Sequence, residues 1–257
     1  SMKPYAIITA AALFMLSMLF AGDAPPAYAA KTKTKKTSAQ PAQEQAAEED
    51  EEAALAPRPR AQTIAKAPYI GAILVDAATG KVLFEDNADA RGYPASVIKL
   101  MNLLIILDGV RAKSISLEDK ITVTAAASKI GGSQVYLKEY EVFSVEELLY
   151  ALMVQSANDA AVALALQYAG TTDAFVEMMN RKAQEIGMKN TAFHSVHGLP
   201  PGKDQQPDVS TPRDIAKLCI ELLKYPEVLR YTGTKERPFR AESQQPFIMR
   251  NHNHLLG

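Results

Sequence analysis

The feature that most constrains this chain is an apolar run from Val97 to Val110 that carries one lysine, Lys99. The run is apolar on nearly every face of a helix, and such a helix must be surrounded by other elements of a core. It is too short to span a bilayer. Pro94 suits the first turn of this helix, because the missing N–H of proline would be unpaired there in any case. The pattern predicts a core helix with a buried amine near its start.

Short patterned segments around this run predict elements that enclose it. Residues 70–75 and 82–84 are rich in apolar and β-branched side chains, and the short turn between them predicts a β-hairpin. Ser144 and Glu147 have the spacing of a capping box, at the start of a helix that ends near Gln155. With 257 residues, 47% of them hydrophobic, the chain suffices for one substantial core with appendages.

The second half of the chain is mainly helical in pattern. We expect an alanine-rich helix from Asp159 to Tyr168 before Gly170, a helix capped by Thr172 that ends at Gly187, and a helix introduced by Thr211-Pro212 that ends before Pro226. The single cysteine, Cys219, lies among apolar residues, so we expect a small buried hydrophobe. The segment around Phe239 and Phe247 predicts extended chain.

Residues 1–30 have the pattern of a signal peptide. One lysine, Lys3, precedes an uncharged, mostly apolar run from Tyr5 to Gly22, and Ala27-Tyr28-Ala29 supplies small residues for cleavage. We expect cleavage after Ala29 or Ala30 and export to the periplasm or the outer face of the cytoplasmic membrane. The alternative is an uncleaved N-terminal anchor, because the run is near the lower limit for spanning a bilayer.

Residues 31–66 form a charged segment that lacks the apolar residues needed to offset the entropy of ordering. An acidic run from Glu48 to Glu52 follows a basic patch, so we expect a disordered linker, with partner binding as the rarer use of such charge. The folded domain is expected over residues 67–257. The formal net charge of the chain is −1 and no basic stripe is present, so nucleic acid is not an expected partner.

Ser96 and Lys99 are the first candidates for chemistry. Their spacing places both on one face of a helix about one turn apart, where the amine can take a proton from the hydroxyl. Serine is a weak nucleophile without a base, and lysine can act as that base when burial lowers its pKa. The positive helix end and the Ser96 backbone N–H favour developing negative charge. The spacing alone is weak evidence, since a helix start with a solvent-directed lysine shares it.

The sequence around this pair and four segments further along the chain make the pattern more specific. The segments are Pro94-Ala95-Ser96-Val97-Ile98-Lys99-Leu100-Met101, then Gly131-Gly132-Ser133 with Ser156-Ala157-Asn158-Asp159-Ala160, and then Gly198-Leu199 with Ser210-Thr211-Pro212-Arg213-Asp214. Together with the first hairpin they resemble the D-alanyl-D-alanine carboxypeptidases, the low-molecular-mass penicillin-binding proteins of serine peptidase family S11. The resemblance extends from about Ile73 to the end of the chain.

The resemblance implies roles for two more residues. Ser156 would relay a proton between the lysine and the leaving group, and the Asn158 amide would position substrate and contact the lysine amine. Ile98 and Asn102 replace threonines that are frequent in the family, and Tyr140 stands where glycine is usual. None of these departures removes a reactive group.

The third family motif, lysine or histidine followed by threonine or serine and then glycine, is absent from the sequence. Gly233-Thr234-Lys235 has the wrong order, and Thr79-Gly80-Lys81 belongs to the first hairpin. The last eight residues resemble the stretch just before that motif. We therefore expect the motif on a strand after Gly257, and little activity from these 257 residues by themselves.

The resemblance implies a mixed α/β (α+β) domain of the β-lactamase and transpeptidase type, with a helical cluster on an antiparallel sheet whose C-terminal strands lie after the last residue. It implies acyl transfer from peptidoglycan stem peptides to Ser96, with release of D-alanine, and acylation of that serine by β-lactams. No cofactor or metal is expected, and His194, His197, His252 and His254 are interpreted as loop histidines. Peripheral membrane association is left open.

Other functions use the same features. A peptidoglycan D,D-endopeptidase or a β-lactamase would employ the same serine and lysine. A non-catalytic wall-binding or β-lactam-sensing module would keep the fold without turnover. Product analysis separates the first two from a carboxypeptidase, and reactivity toward labelled penicillin tests the third.

Overall fold

The computed structural model describes residues 69–256. Its elements, in chain order, are β1 (Ala72–Val75), β2 (Val82–Asp86), a 3-10 helix (Ala95–Ile98), α1 (Lys99–Arg111), β3 (Lys120–Thr122), α2 (Ala125–Ser128), β4 (Val142–Ser144), α3 (Val145–Val154), α4 (Asn158–Ala169), α5 (Thr172–Glu185), α6 (Pro212–Leu222), α7 (Val228–Thr232), β5 (Glu236–Phe239), β6 (Phe247–Arg250) and a second 3-10 helix (His254–Leu256). The predicted signal peptide (1–30) and linker (31–66) lie outside the described residues. No helix within residues 69–256 is long and apolar enough to cross a membrane.

Helix α1 is the centre of the core, as its all-round apolar sequence predicts. Every residue from Lys99 to Leu107 is at most 3% exposed. The helix is enclosed by α3, α4, α5 and α6. Since burying one leucine or isoleucine completely contributes roughly 1.5–3 kcal/mol, this single helix supplies a large share of the burial that stabilises the domain. A polar site built on its first turn is therefore held by a rigid element.

The strands form three separate two-stranded antiparallel sheets within the described residues. The predicted first hairpin is confirmed as β1–β2, with a register irregularity between Leu74 and Val75. β3 pairs with β4 and β5 pairs with β6. Strand β1 packs on α6, while α3 contacts β4, β5 and β6. Helices that pack on antiparallel strands confirm the predicted α/β class.

Helix starts follow the capping residues in the sequence, with one correction. Ser144 and Glu147 form the predicted capping box of α3, and Thr211 caps α6 ahead of Pro212. The prediction that Thr172 caps α5 is wrong by one residue. Thr171 is the cap, because its extended backbone lets its side chain accept the Ala174 N–H, and Thr172 is the first helical residue.

The chain enters α1 through a turn that the sequence pattern does not predict. Pro94 lies before the 3-10 helix rather than inside the first turn of an α-helix, and its carbonyl accepts the Val97 N–H at 3.1 Å. Ala95 follows with a φ of 46°, in the left-handed region. Ser96 is therefore in the tight 3-10 turn, and Lys99 is the first residue of α1.

Cys219 lies on α6 and is 8% exposed. Burial raises the pKa of its thiol to about 12, which keeps the thiol protonated at neutral pH. The prediction of a small buried hydrophobe is confirmed, and this cysteine takes no part in the candidate site.

Candidate active site

The predicted nucleophile and base are in contact. The Lys99 amine donates to Ser96 Oγ at 3.0 Å and to the main-chain carbonyl of His197 at 2.8 Å. Lys99 is completely buried, whereas Ser96 is exposed. The two residues meet because the 3-10 turn and the first turn of α1 place their side chains on one side of the chain. A buried amine therefore bonds the hydroxyl of an exposed serine.

The environment of Lys99 favours its neutral form. Burial lowers the pKa of Lys99 to about 7, and the negative charge of Asp159 acts in the opposite direction. A large fraction of this amine is therefore neutral near pH 7, in the state that can accept a proton. The pKa of the His197 imidazole is also lowered, first by burial and then by the positive charge of Lys99, with Asp208 opposing both.

Ser156 and Asn158 occupy the sharp turn between α3 and α4. Ser156 has a φ of 56°, in the left-handed region, and Asn158 is the first residue of α4. The Asn158 side-chain amide donates to the carbonyl of Gly131 at 2.8 Å, and its backbone N–H donates to the carbonyl of Ser133 at 2.8 Å. Its Oδ1 is buried and has no hydrogen-bond partner among the described residues.

The direct contact expected between the Asn158 amide and Lys99 is not formed in this structure. Among residues 69–256, the hydrogen-bond acceptors of the Lys99 amine are Ser96 and His197. No hydrogen bond of the Ser156 hydroxyl occurs within the same range. The connection between Lys99 and this turn is instead electrostatic, through Asp159, the residue after Asn158.

Loop A, defined as residues 131–137, lies against this turn. Asp159 is fully buried, and its carboxylate accepts the backbone N–H groups of Val135 at 3.2 Å and Leu137 at 2.9 Å. Gly132 has a φ of +80°, and a Cβ there would lie 2.5 Å from the Asn158 amide nitrogen and 2.9 Å from a methyl of Leu199. Loop A therefore touches both the Asn158 side chain and the second loop of the site.

Loop B, defined as residues 194–199, lies against Ser96. A Cβ on Gly198, whose φ is +79°, would lie 2.1 Å from the Ala95 carbonyl oxygen and 3.0 Å from the Ser96 nitrogen. Only glycine allows the two backbones to approach this closely. Sequence reasoning placed Gly198-Leu199 in a family motif and gave it no contact with Ser96.

Sequence reasoning also missed Asp208, which holds loop B. Asp208 is 7% exposed, and its carboxylate accepts the N–H of His194 at 2.6 Å, the N–H of Ser195 at 2.9 Å and the Ser195 hydroxyl at 2.6 Å. No sequence signal marks it, because its partners lie 13 and 14 residues away in an irregular segment.

The assembled residues have the parts needed for acyl transfer to a serine. They combine an exposed hydroxyl, a buried amine of lowered pKa and the N-terminal end of a 13-residue helix, whose dipole favours negative charge. Within the described part of the chain, no group of three or more histidine, cysteine, aspartate or glutamate side chains is arranged to hold a metal ion.

Comparison with known sequences finds one family. The sequence model of the D-alanyl-D-alanine carboxypeptidases matches residues 58–257. The chain is 37% identical over 185 residues to the D-alanyl-D-alanine carboxypeptidase DacF of Bacillus subtilis, covering 72% of this chain and 46% of DacF. It is 32% identical over 202 residues to the D-alanyl-D-alanine endopeptidase of Escherichia coli, covering 76% and 62% of the two chains. The chain spans about half the length of the curated relatives it matches.

Solved structures of similar fold belong to the same group of proteins. The D-alanyl-D-alanine carboxypeptidase DacD of Francisella tularensis superposes with a TM-score of 0.65 at 34% identity, covering 69% of this chain and 42% of that one. Penicillin-binding protein D2 of Listeria monocytogenes, solved with ampicillin bound, superposes with a TM-score of 0.63 at 29% identity, covering 73% and 74%.

Proposed function

The chain belongs to the D-alanyl-D-alanine carboxypeptidase family, and on this premise we propose that it carries the acyl-transfer site of a serine-type D-Ala-D-Ala carboxypeptidase. Ser96 is the nucleophile and Lys99 is its base. The substrate is a peptidoglycan stem peptide, from which the terminal D-alanine is removed. β-Lactams acylate the same serine, in line with the ampicillin-bound penicillin-binding protein of similar fold.

The observation that carries this proposal is the 3.0 Å contact between a completely buried Lys99 amine and the Ser96 hydroxyl. Neutral Lys99 takes the hydroxyl proton as Oγ attacks the carbonyl of the penultimate D-alanine, so that a C–O bond forms. The C–N bond to the terminal D-alanine then breaks, and the proton leaves with the amine. Water attacks the acyl-enzyme in the second half of the reaction and regenerates Ser96.

The surrounding groups support charge and proton movement at this serine. The Ser96 backbone N–H and the N-terminal end of α1 stabilise the negative oxygen of the tetrahedral intermediate. Ser156 passes the proton from Lys99 to the departing amine, and Asn158 orients the peptide. The buried Oδ1 of Asn158, which lacks a partner among the described residues, is the acceptor for its proposed contact with the Lys99 amine.

A D,D-endopeptidase that cleaves peptide cross-links is the second candidate. The endopeptidase of Escherichia coli is 32% identical over 202 residues, against 37% over 185 residues for the carboxypeptidase DacF. The chemistry at Ser96 is the same for both, because each breaks a D-alanyl amide bond. They differ in the amine that leaves, which is free D-alanine in one case and a cross-linked peptide in the other.

The proposed location follows from the substrate and from residues 1–30. Peptidoglycan is outside the cytoplasmic membrane, and the N-terminal pattern is that of an export signal. We place the protein in the periplasm or at the outer face of the cytoplasmic membrane, with peripheral membrane association as part of the same proposal. Protease accessibility in spheroplasts, with a cytoplasmic protein as the control, tests this location.

Covalent labelling by a fluorescent penicillin tests the site. In the full-length gene product we expect one labelled serine, no labelling of Ser96→Ala, and labelling of Lys99→Ala slowed by about 10²- to 10⁴-fold. Ser128→Ala is the matched control, because within residues 69–256 its hydroxyl bonds only the Ala125 carbonyl on α2. Labelling that persists in Ser96→Ala overturns the assignment of the nucleophile.

Product analysis then separates the candidate activities. Release of free D-alanine from a pentapeptide identifies a carboxypeptidase, and conversion of cross-linked muropeptides to monomers identifies an endopeptidase. Rapid turnover of the penicillin without a persistent adduct identifies a β-lactamase. An adduct with no turnover of any peptide identifies a β-lactam-sensing module.

A further inference from the structure

Loop B is held on one side through its carbonyl groups. The Lys99 amine donates to the carbonyl of His197 at 2.8 Å, and the Asn102 amide, one turn further along α1, donates to the carbonyl of Val196 at 2.8 Å. Two successive peptide carbonyls of loop B are thus aimed at the buried face of α1. The position of the His197 carbonyl helps to decide where the Lys99 amine points.

The opposite side of loop B is held through its N–H groups. Asp208 accepts the N–H groups of His194 and Ser195 and also the Ser195 hydroxyl. That hydroxyl in turn accepts the N–H of Gly198 at 2.9 Å and that of His197 at 3.4 Å. Four N–H groups of loop B, those of His194, Ser195, His197 and Gly198, are therefore tied, directly or through one hydroxyl, to a single carboxylate.

Asp208 is itself fixed relative to Ser96. Val209 exchanges two backbone hydrogen bonds with Ala192, and Ser210 exchanges two with Gly92, which lies four residues before the nucleophile. Asp208 has no ion-pair partner within residues 69–256, so its charge is compensated there by the loop B donors. Hydrogen bonds to an ionised group are short and strong, which makes this arrangement stiff.

We infer that Ser195 and Asp208 are positioning residues that orient the Lys99 amine toward Ser96 through the His197 carbonyl. The inference rests on the proposed function of Ser96 and Lys99. Neither residue contacts the Ser96 hydroxyl in the described structure, so their effect passes through loop B. If the Ser195 hydroxyl is removed, Gly198 and His197 lose their common acceptor and the carbonyl is released from its place beside the amine.

Loss of this carbonyl has a characteristic effect on pH dependence. A hydrogen-bond acceptor stabilises the protonated amine, so withdrawal of the His197 carbonyl favours the neutral amine. The acidic limb of the pH–rate profile for acylation, where the rate falls as Lys99 becomes protonated, then moves to lower pH. The charged group that shifts the pKa of Lys99 is Asp159 from α4; the His197 imidazole on loop B and Asp208 behind it are the other titratable groups on that side, and Lys99 and Asp208 both shift the pKa of the imidazole. None of the three is removed by substitution of Ser195, so the shift reports on the carbonyl contact.

The experiment compares Ser195→Ala with Ser195→Thr in the full-length gene product. We expect the penicillin acylation rate at its pH plateau to fall about 10- to 100-fold in Ser195→Ala, as small displacements of a base cost this much. The acidic limb moves to lower pH, and non-covalent affinity for the penicillin is unchanged. Ser195→Thr keeps the hydroxyl and restores most of the rate together with the original limb.

Thr171→Ala is the control for a purely structural effect, because it removes the cap of α5 and lowers stability without touching loop B. It leaves the rate per folded molecule and the pH limb unchanged. A normal plateau rate in Ser195→Ala overturns the inference, and so does a loss of rate with an unmoved limb or no rescue by threonine. An absence of acylation in the unsubstituted protein overturns the proposed function instead.

Discussion

Loop A and loop B reach the Ser96–Lys99 pair from two parts of the chain and are held by the same device. A buried carboxylate accepts two backbone N–H groups of each loop, Asp159 for loop A and Asp208 for loop B. Neither carboxylate has an ion-pair partner within residues 69–256. Buried charges without such partners are costly unless several donors satisfy them, and the loop backbones supply those donors.

The two carboxylates differ in what they do to Lys99. Asp159 is in the first turn of α4, and its charge raises the pKa of Lys99 against the larger effect of burial. Asp208 lies in an irregular segment just before the Val209–Ala192 bridge and reaches Lys99 only through the backbone of loop B. One carboxylate therefore adjusts the charge state of the base, and the other fixes its orientation. The same hydrogen-bonding arrangement would thus serve two separate requirements of the proposed proton transfer.

The loops also differ in how their backbones accommodate strain. Loop B presents Gly198, at a φ of +79°, where it passes over Ala95 and Ser96. Loop A has Tyr136 at a φ of 57°, and Tyr140 follows three residues after its end at 70°. Glycine adopts this region freely, whereas a tyrosine pays a conformational cost. Loop B is therefore limited by space at Gly198, whereas loop A is limited by space at Gly132 and, with the chain after it, by backbone conformation at the two tyrosines.

Gly198→Ala is the sharpest test of the spatial limit and has the largest expected effect. The new methyl would lie 2.1 Å from the Ala95 carbonyl oxygen, so the backbone at the nucleophile must move. We expect the free energy of unfolding to fall by about 2–5 kcal/mol, from the left-handed conformation and the overlap together. Penicillin acylation should be lost in the molecules that remain folded. Chemical denaturation and labelling measure the two effects.

Gly80→Ala is the matched control for this substitution. Gly80 has a φ of +72° in the turn between β1 and β2, and no atom lies within 4 Å of a Cβ placed there. The free energy of unfolding of Gly80→Ala should fall only by the cost of the left-handed conformation, roughly 1–2 kcal/mol. Penicillin acylation should be unchanged. Equal losses in the two variants would show that close packing of loop B against the nucleophile is unimportant.

The parts of the site that the sequence predicts are those encoded over short distances. Ser96 and Lys99 meet because they are three positions apart in a tight helical turn, and the apolar run that contains Lys99 predicts the burial that lowers its pKa. The capping box at Ser144 and the cap at Thr211 are likewise local. The family suggested by these segments is confirmed by the match over residues 58–257.

The parts that the sequence does not predict depend on contacts between distant residues. The His197 carbonyl that receives the Lys99 amine is 98 positions away along the chain. No sequence pattern distinguishes Asp208 from other loop aspartates, because its partners are mainly backbone groups of loop B. Strands β3 and β4 were also not predicted, because three-residue strands are too short to show an alternating pattern. Main-chain acceptors carry no side-chain signature, so the environment of the base becomes visible only in three dimensions.

Asp159→Asn tests whether the two carboxylates have separate effects on Lys99. The measurement is the pH dependence of penicillin acylation. Asp159 stabilises protonated Lys99, so its neutralisation lowers the pKa of Lys99 below about 7. Since the neutral amine is the proposed base, the acidic limb of the pH–rate profile for penicillin acylation should move to lower pH. The limb should move less in Asp208→Asn, because the charge of Asp208 does not shift the pKa of Lys99 and asparagine keeps a side-chain oxygen that can accept loop B N–H groups, so that only part of the His197 carbonyl contact is lost. An equal shift in both variants would contradict separate roles for the two loops.

Tyr140→Gly tests the cost of the left-handed backbone conformation at Tyr140, which follows loop A. It has the smallest expected effect. Tyr140 is 78% exposed, so its side chain contributes little packing, while its φ of 70° disfavours any residue with a Cβ. Relief of this conformation should raise the free energy of unfolding by up to about 1 kcal/mol. Glu139→Gly is the control, because its neighbouring exposed position lacks a positive φ and glycine there should destabilise. Chemical denaturation of both variants measures the difference. A loss of stability in Tyr140→Gly would contradict the prediction, because the contacts of the exposed ring would then stabilise the fold by more than its backbone conformation costs.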